Sequence, residues 1–214
     1  MLNCAEELIL LAIDDESGAF HRMIDVNFNL SLVGALIMDL ALRNRIDSDL
    51  EHIYVISKEP TNDPFLDQVL EMIGAPEAAG SSAILLRQLY QSLENLRDRL
   101  LKRLELKGII RFTENRVLWL FKQRRYPVID QKEEKEVLTR IRETVLTEVI
   151  PEPRDLALIS LINSCDLMDK IFSSSELREH DTRIKLLSKM DLIGHSTNKI
   201  IEDVQKMIAS AFGV

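Results

Sequence analysis

Glycine, proline, cysteine and long apolar runs are all scarce in this chain, and each shortage excludes a class of protein. Seven glycines and six prolines in 214 residues leave few turns for a β-sandwich or a barrel. No apolar run approaches the roughly 20 residues of a membrane-spanning helix. The N-terminus also lacks the basic start and apolar stretch of a signal peptide. We therefore expect a protein that stays in solution or lies on a membrane surface.

Residues with the spacing of a catalytic or metal site are also missing. The two cysteines, Cys4 and Cys165, fit neither a metal-ligand spacing nor a disulfide framework, and the four histidines are isolated. No glycine-rich phosphate loop occurs, and Asp14-Asp15-Glu16 lacks the extended ligand pattern of a calcium loop. We expect no metal, no cofactor and no enzymatic activity, and we expect the protein to be cytoplasmic.

Positive charge is concentrated in one segment of an acidic chain. The formal net charge of −8 argues against general nucleic-acid binding. Residues 97–125 nevertheless hold ten lysines and arginines against three acidic residues, which makes this segment about +7 and the remainder about −15. This asymmetry indicates an anion-seeking region on an acidic body.

The abundant residues are Leu, Ile, Glu, Lys and Arg, which favour helices. No repeat or domain boundary is visible, so the expected fold class is mainly α: a single compact helical domain over residues 1–214 with one protruding β-hairpin. The predicted helices span 5–13, 30–45, 65–73, 83–106, 131–149, 154–172, 176–190 and 196–212. A short strand is predicted over 50–58, and the hairpin over 109–112 and 116–122, around a turn at Glu114-Asn115.

Five consecutive apolar residues, Val117 to Phe121, belong to the predicted hairpin. Side chains of a strand alternate between two faces, so one face can pack on the helices while the other meets lipid, a partner chain or further core. Tryptophan flanked by Lys and Arg is typical of elements that bind a membrane surface. The candidate residues for contact with a membrane or a second subunit are Leu118, Trp119, Leu120 and Phe121, and the adjoining candidate cations are Arg124 and Arg125.

A series of short motifs, in order along most of the chain, resembles the Golgi phosphoprotein 3 family. The motifs are Glu6-Glu7-Leu8-Ile9-Leu10-Leu11, Leu32-Val33-Gly34, Ala41-Leu42-Arg43, Pro60-Thr61-Asn62-Asp63, Asn95-Leu96-Arg97-Asp98-Arg99-Leu100, Lys107-Gly108-Ile109-Ile110, Tyr126-Pro127, Glu143-Thr144-Val145-Leu146, Ala157-Leu158-Ile159-Ser160-Leu161 and Cys165-Asp166-Leu167.

This resemblance implies a mostly helical peripheral membrane protein that recognises phosphatidylinositol 4-phosphate and has a hydrophobic hairpin touching the bilayer or a neighbouring subunit. The chain resembles a short family member without the basic N-terminal tail. The family's headgroup pocket of one Trp and three Arg falls on Ile24, Val33, Glu94 and Arg97, so the resemblance retains one arginine. Arg97 therefore joins Arg124 and Arg125 as a candidate headgroup-binding residue.

We interpret the chain as a non-enzymatic, peripherally membrane-associated protein that binds anionic lipid through a basic groove and the hydrophobic hairpin. The first alternative is a helical interaction scaffold that forms homo-oligomers through the hairpin. A basic helix ending at Lys107-Gly108 and followed by a hairpin is also the pattern of a winged-helix nucleic-acid binder. The net charge and the apolar hairpin argue against that second alternative, so no nucleic acid is expected as a partner.

Overall fold

The computed structural model of this chain describes residues 2–14, 17–21, 25–48, 52–75, 82–117 and 121–188. Within these residues the fold has ten helices and two antiparallel two-stranded sheets, which confirms the mainly α prediction. The elements are α1 (Cys4–Ala12), α2 (Asp25–Leu42), β1 (Ile46–Ser48), β2 (Ile53–Val55), α3 (Pro64–Ile73), α4 (Ser82–Ser92), α5 (Leu96–Leu106), β3 (Thr113–Val117), β4 (Phe121–Arg125), α6 (Lys132–Leu146), α7 (Pro153–Ser164), α8 (Met168–Ile171), α9 (Ser174–Glu179) and α10 (Asp181–Leu187).

Helix α1 lies at the centre of the fold and is buried along its whole length. Its start is fixed by a capping box, in which the Asn3 side chain accepts from the Glu6 backbone N–H and the Glu6 carboxylate accepts from the Asn3 N–H. Helices α2, α5, α6 and α7 pack around it. The apolar residues of these helices form one continuous core with those of α1.

Two carboxylates on this central helix are paired with cations from different neighbours. Glu6 is fully buried and accepts hydrogen bonds from Arg103 Nε at 2.8 Å and Lys107 Nζ at 2.7 Å. Glu7 is 4% exposed and accepts from Arg154 Nε at 3.1 Å and, at 3.4 Å, from Arg140 Nη2. Such pairing is required because an unpaired buried charge is strongly destabilising.

The cluster around Glu7 includes a second buried carboxylate, Asp39 of α2. Arg154 Nη1 donates to Asp39 at 3.1 Å, and the Cys4 backbone N–H donates to the same carboxylate at 2.6 Å. Burial raises the pKa of both Glu7 and Asp39, although the nearby Arg154 guanidinium opposes that change. One arginine of α7 thus joins α1 to α2.

Two predicted long helices are each divided by a residue in the left-handed conformation. The predicted helix 83–106 is α4 and α5, separated at Asn95, whose φ is 55°. The predicted helix 154–172 is α7 and α8, separated by a loop with Asp166 at φ 56°. The prediction was wrong because the apolar spacing continues through each break, while Asn and Asp tolerate this backbone conformation better than most residues.

Other boundaries differ from the prediction by smaller amounts. Helix α2 begins at Asp25 rather than at residue 30, and the predicted strand 50–58 is only Ile53–Val55, paired with β1, which was not predicted. Helices α3 and α6 agree with prediction, and the side chain of Asp63 caps α3 by accepting from the Phe65 N–H. The predicted helix 196–212 lies outside the described residues.

The β-hairpin is present, but its turn is not at Glu114-Asn115. Both residues belong to β3, and the register pairs Thr113 with Arg125 and Val117 with Phe121. Ile109 and Ile110, predicted as strand residues of the hairpin, are buried, and Ile110 forms an antiparallel bridge with Val128 in the same register as the hairpin. The antiparallel pairing therefore extends beyond the predicted turn, so that the segment Leu118-Trp119-Leu120, which lies outside the described residues, connects the strands.

The buried charge cluster predicts that Arg154→Ala destabilises the protein by about 3–5 kcal/mol, because Glu7 and Asp39 lose a cation that water cannot replace. Chemical denaturation at pH 7 measures this change. Lys185→Ala is the matched control, since Lys185 pairs with Asp181 in an exposed i,i+4 bridge, for which about 0.5 kcal/mol is expected.

The loss of stability caused by Arg154→Ala is also expected to depend on pH. When folding raises the pKa of a carboxyl, the folded protein loses stability as the pH rises through that pKa. Removal of Arg154 raises the pKa values of Glu7 and Asp39 further, because the Arg154 guanidinium lowers both. The cost of Arg154→Ala should therefore be larger at pH 8 than at pH 5. An equal cost at both pH values would contradict the assignment of Glu7 and Asp39 as the groups responsible.

Candidate functional site

The base of the β3–β4 hairpin is held against the N-terminal part of the chain. The Tyr126 backbone N–H donates to the Gly18 carbonyl at 2.6 Å, and the Tyr126 ring packs against Phe20 and Phe112 at centroid distances of 5.9 and 5.7 Å. Gly18 has a φ of 62°, and a Cβ built on it would lie 2.6 Å from the Pro127 nitrogen. A glycine is therefore required where these two segments meet.

Arg124 and Arg125, predicted together as headgroup ligands, lie on opposite faces of the hairpin. Successive residues of a strand alternate between faces. The Arg124 guanidinium is directed toward α5, where its Nη1 lies 3.2 Å from Asp98 Oδ2, and this ion pair is largely exposed. Arg125 is paired in register with Thr113 on the other face. The strand alternation therefore directs these two side chains to different faces of the hairpin.

Arg97 lies on the first turn of α5 and is already paired. Its Nη1 is 2.7 Å from Asp25 Oδ1 of α2, and its guanidinium stacks over the Phe20 ring at 5.3 Å. The side chain of Arg97 is 30% exposed. Arg97 thus pairs with α2, whereas Arg124 pairs with Asp98, the residue that follows Arg97 on α5.

The other cations of α5 are also engaged by side chains of the protein. Arg103 and Lys107 bind Glu6, Arg99 donates to Gln68, and Lys102 pairs with Glu105. Three cations of the segment, Arg97, Arg103 and Lys107, are thus paired with carboxylates from the rest of the chain, whereas Lys102 pairs within the segment. The strands of the hairpin contain four further basic residues, Arg116, Lys122, Arg124 and Arg125.

Two shallow cavities lie on either side of Asp98, which lines both. A cavity of about 250 Å³ separates α5 from the hairpin, and its wall includes Phe112, Arg124 and Tyr126. A second cavity, of about 340 Å³, lies at the junction of α4 and α5, and its wall includes Glu94 and Arg97. The helix break at Asn95, which the sequence did not indicate, is therefore what shapes the second cavity.

The predicted apolar contact residues are described only in part. Leu118, Trp119 and Leu120 lie outside the described residues. The backbone of Phe121 begins β4, where it pairs with Val117. In the part of the chain that is described, no group of three or more His, Cys, Asp or Glu side chains is arranged to hold a metal ion.

The partners Asp25, Asp98 and Phe20 were missed by sequence reasoning. Asp25 is 72 residues from Arg97 in the chain, and nothing in the local pattern connects the two. Asp98 was counted only as an acid within a basic segment. Its position in the first turn of α5, where carboxylates are favoured, becomes apparent only once the helix break at Asn95 is known.

Comparison with known proteins decides the family. The sequence profile described as Golgi phosphoprotein 3 (GPP34) matches residues 4–204. The chain belongs to the Golgi phosphoprotein 3 family. Among curated proteins, the vacuolar protein sorting-associated protein 74 of Eremothecium gossypii is 26% identical over 215 aligned positions, which cover 84% of this chain. The chain spans 64% of the length of that relative.

In this member of the Golgi phosphoprotein 3 family, the positions that the resemblance assigns to a headgroup pocket have different environments. Val33 is 1% exposed and belongs to the apolar core, so it cannot reach a ligand. Glu94 and Arg97 both line the cavity at the α4–α5 junction. Ile24 lies outside the described residues. Of the positions assigned to the pocket, the two that line this cavity therefore hold one carboxylate, Glu94, and one cation, Arg97.

The hairpin anchor predicts that Gly18→Ala destabilises the protein by about 2 kcal/mol or more, since a Cβ there adds a clash with Pro127 to the cost of positive φ. Gly108→Ala is a close control, because Gly108 has a φ of 74° and nothing within 4 Å of its built Cβ. Urea denaturation of both variants isolates the contact. Equal losses of stability would show that Gly18 does not hold the hairpin base.

Proposed function

We propose that this protein is a non-enzymatic peripheral membrane protein that contacts anionic lipid with the outer end of the β3–β4 hairpin. The observation that carries this proposal is the strand register. Because Val117 pairs with Phe121, the residues that connect the strands are Leu118-Trp119-Leu120. Connecting residues of hairpins are usually Gly, Asn, Asp or Ser, so three large apolar residues there call for an apolar partner.

The charge of the hairpin supports a membrane as that partner. The two strands contain Arg116, Lys122, Arg124 and Arg125 against the single acidic residue Glu114, although the whole chain is acidic. Basic residues near an anionic leaflet contribute roughly 1 kcal/mol each. An apolar segment flanked by cations is typical of an element that inserts shallowly into a membrane surface.

Family membership supports a role at membranes. The family is named after a Golgi phosphoprotein, and the relative from Eremothecium gossypii is named as a vacuolar protein sorting-associated protein. In the described part of the chain, no helix is both long and apolar enough to cross a bilayer. Attachment through a surface element would therefore account for such a role.

The geometry favours general anionic lipid over specific recognition of phosphatidylinositol 4-phosphate. A phosphorylated headgroup is held by several charge-assisted hydrogen bonds. Here Arg97 is engaged by Asp25, and Glu94 stands beside it. We expect similar binding to phosphatidylinositol 4-phosphate vesicles and to other anionic vesicles of equal charge.

The chain offers a direct reporter of insertion, since Trp119 is its only tryptophan. Addition of vesicles containing phosphatidylglycerol should shift its emission to shorter wavelength, and lipids brominated on the acyl chains should quench it. Neutral phosphatidylcholine vesicles should have little effect. A blue shift that depends on protein concentration without vesicles would instead assign the hairpin to a homo-oligomer interface.

The electrostatic part predicts that Arg124→Glu weakens binding to phosphatidylglycerol vesicles at least fivefold at low salt, since each cation contributes roughly 1 kcal/mol. Co-sedimentation measures this loss. Arg178→Glu is the control, because Arg178 is exposed on α9 and the net charge changes equally. The same loss in both variants would show that total charge, not the hairpin, governs the interaction.

A further inference from the structure

Two apolar side chains of the loop between α6 and α7, and one of α10, are exposed beside each other. Ile150 is 93% exposed, Val149 is 39% exposed, and Leu186 of α10 is 55% exposed. The Arg183 side chain donates to the Val149 carbonyl at 3.4 Å, and Leu186 lies one helical turn from Arg183. These three apolar residues are called the α10 patch below. Exposed apolar residues that lie together, unlike scattered ones, mark a contact surface.

The α10 patch is held in place by the packing of α10 on the body of the protein. Arg183 Nε and Nη2 both donate to the Thr144 carbonyl near the end of α6, at 3.2 and 2.9 Å. The other face of α10, with Ile184 and Leu187, is buried, and the helix packs on α6 and α7. The patch is therefore part of a fixed surface that can receive a complementary apolar element.

The segment that follows α10 in the sequence has the pattern of such an element. The helix predicted over residues 196–212 has apolar residues at intervals of three and four positions. The residues of this apolar stripe are Ile200, Ile201, Val204, Met207, Ile208 and Ala211. Because short helices are marginal in water, a helix with this pattern is stable when its stripe is buried against another apolar surface.

The charges of the predicted helix favour a protein surface over a membrane surface as its partner. Its polar positions include Lys199 and Lys206, which are balanced by Glu202 and Asp203. A helix that lies on an anionic membrane is instead rich in Lys and Arg on its polar face. Burial of the stripe against the protein requires no such excess of positive charge.

The connection between α10 and the predicted helix is long enough for the helix to return to the patch. Ser188 is the last residue of the described part and lies two positions after Leu186. Residues 189–195 can extend to roughly 24 Å. The patch begins within one helical turn of Ser188, so this connection suffices, and Gly194 provides a position where the chain can turn.

We infer that residues 196–212 form a helix whose apolar stripe covers the α10 patch of the same molecule. The short connection places the stripe at an effective concentration in roughly the millimolar range, which favours it over a second copy of the chain. Docking of this helix buries Ile150, which is otherwise the side chain most exposed to water in the patch. The inference is independent of the membrane contact proposed for the hairpin.

Amide hydrogen exchange of the full chain without lipid tests this contact. Residues 200–211 should be protected in the parent protein, and Ile150→Asp should raise their exchange rates by about tenfold or more, since a charge then faces the stripe. Because Ile150 is exposed, its substitution should leave the protection of α1 unchanged. Ile129→Asp is the matched control, since Ile129 is 50% exposed beside the base of the hairpin, far from α10 in the chain.

The inference fails if residues 200–211 exchange freely in the parent protein. It also fails if Ile150→Asp leaves their exchange unchanged, or if Ile129→Asp raises it equally. Protection that appears only after vesicles containing phosphatidylglycerol are added would assign the stripe to a membrane and overturn the inference. Failure of the protein to bind vesicles would refute the proposed function and leave this inference intact.

Chemical cross-linking distinguishes the segment of the same molecule from a second copy. Ile150→Cys combined with Val204→Cys should be joined within one molecule by a short bismaleimide, whereas Ile129→Cys with Val204→Cys should not. Cys4 and Cys165 are buried and should remain unmodified. A cross-linked product with the mass of a dimer would overturn the inference, because a second copy would then cover the patch.

Discussion

Two adjacent carboxylates on a fully buried helix require cations as partners, and the helices packed around it supply them. Glu6 and Glu7 of α1 are surrounded by apolar core, where an unpaired charge is strongly destabilising. Neighbouring residues of a helix point about 100° apart. Glu6 therefore meets Arg103 of α5, while Glu7 meets Arg140 of α6 and Arg154 of α7. Three helices are thus held to the centre by charge as well as by apolar packing.

This arrangement changes the meaning of the basic segment. In the sequence, the excess of cations over residues 97–125 indicated an anion-binding surface. In the folded protein, Arg103 and Lys107 neutralise Glu6, and Arg97 neutralises Asp25. Positive charge in one part of the chain is thus neutralised by negative charge in another part. The strands of the hairpin contain further cations, of which Arg124 pairs with Asp98.

The break between α4 and α5 and the anchored hairpin together form the candidate site. The left-handed conformation of Asn95 separates α4 from α5, and a cavity lies beside Glu94 at this junction. The hydrogen bond between Gly18 and Tyr126 holds the base of the hairpin. Asp98 lies between the two cavities. The candidate site is therefore a surface to which both α5 and the base of the hairpin contribute.

The sequence by itself determined the mainly α class, the family and most helices, because apolar spacing and caps such as Asp63 are local signals. It could not locate the breaks at Asn95 and Asp166, since the apolar spacing continues through both. It also misplaced the hairpin turn, because the polar residues Glu114 and Asn115, which are typical of turns, are paired with β4 inside the ladder. The tertiary structure alone decided which cations are paired, since ion pairs join residues as distant as Glu7 and Arg154, and local patterns contain no information about such partners.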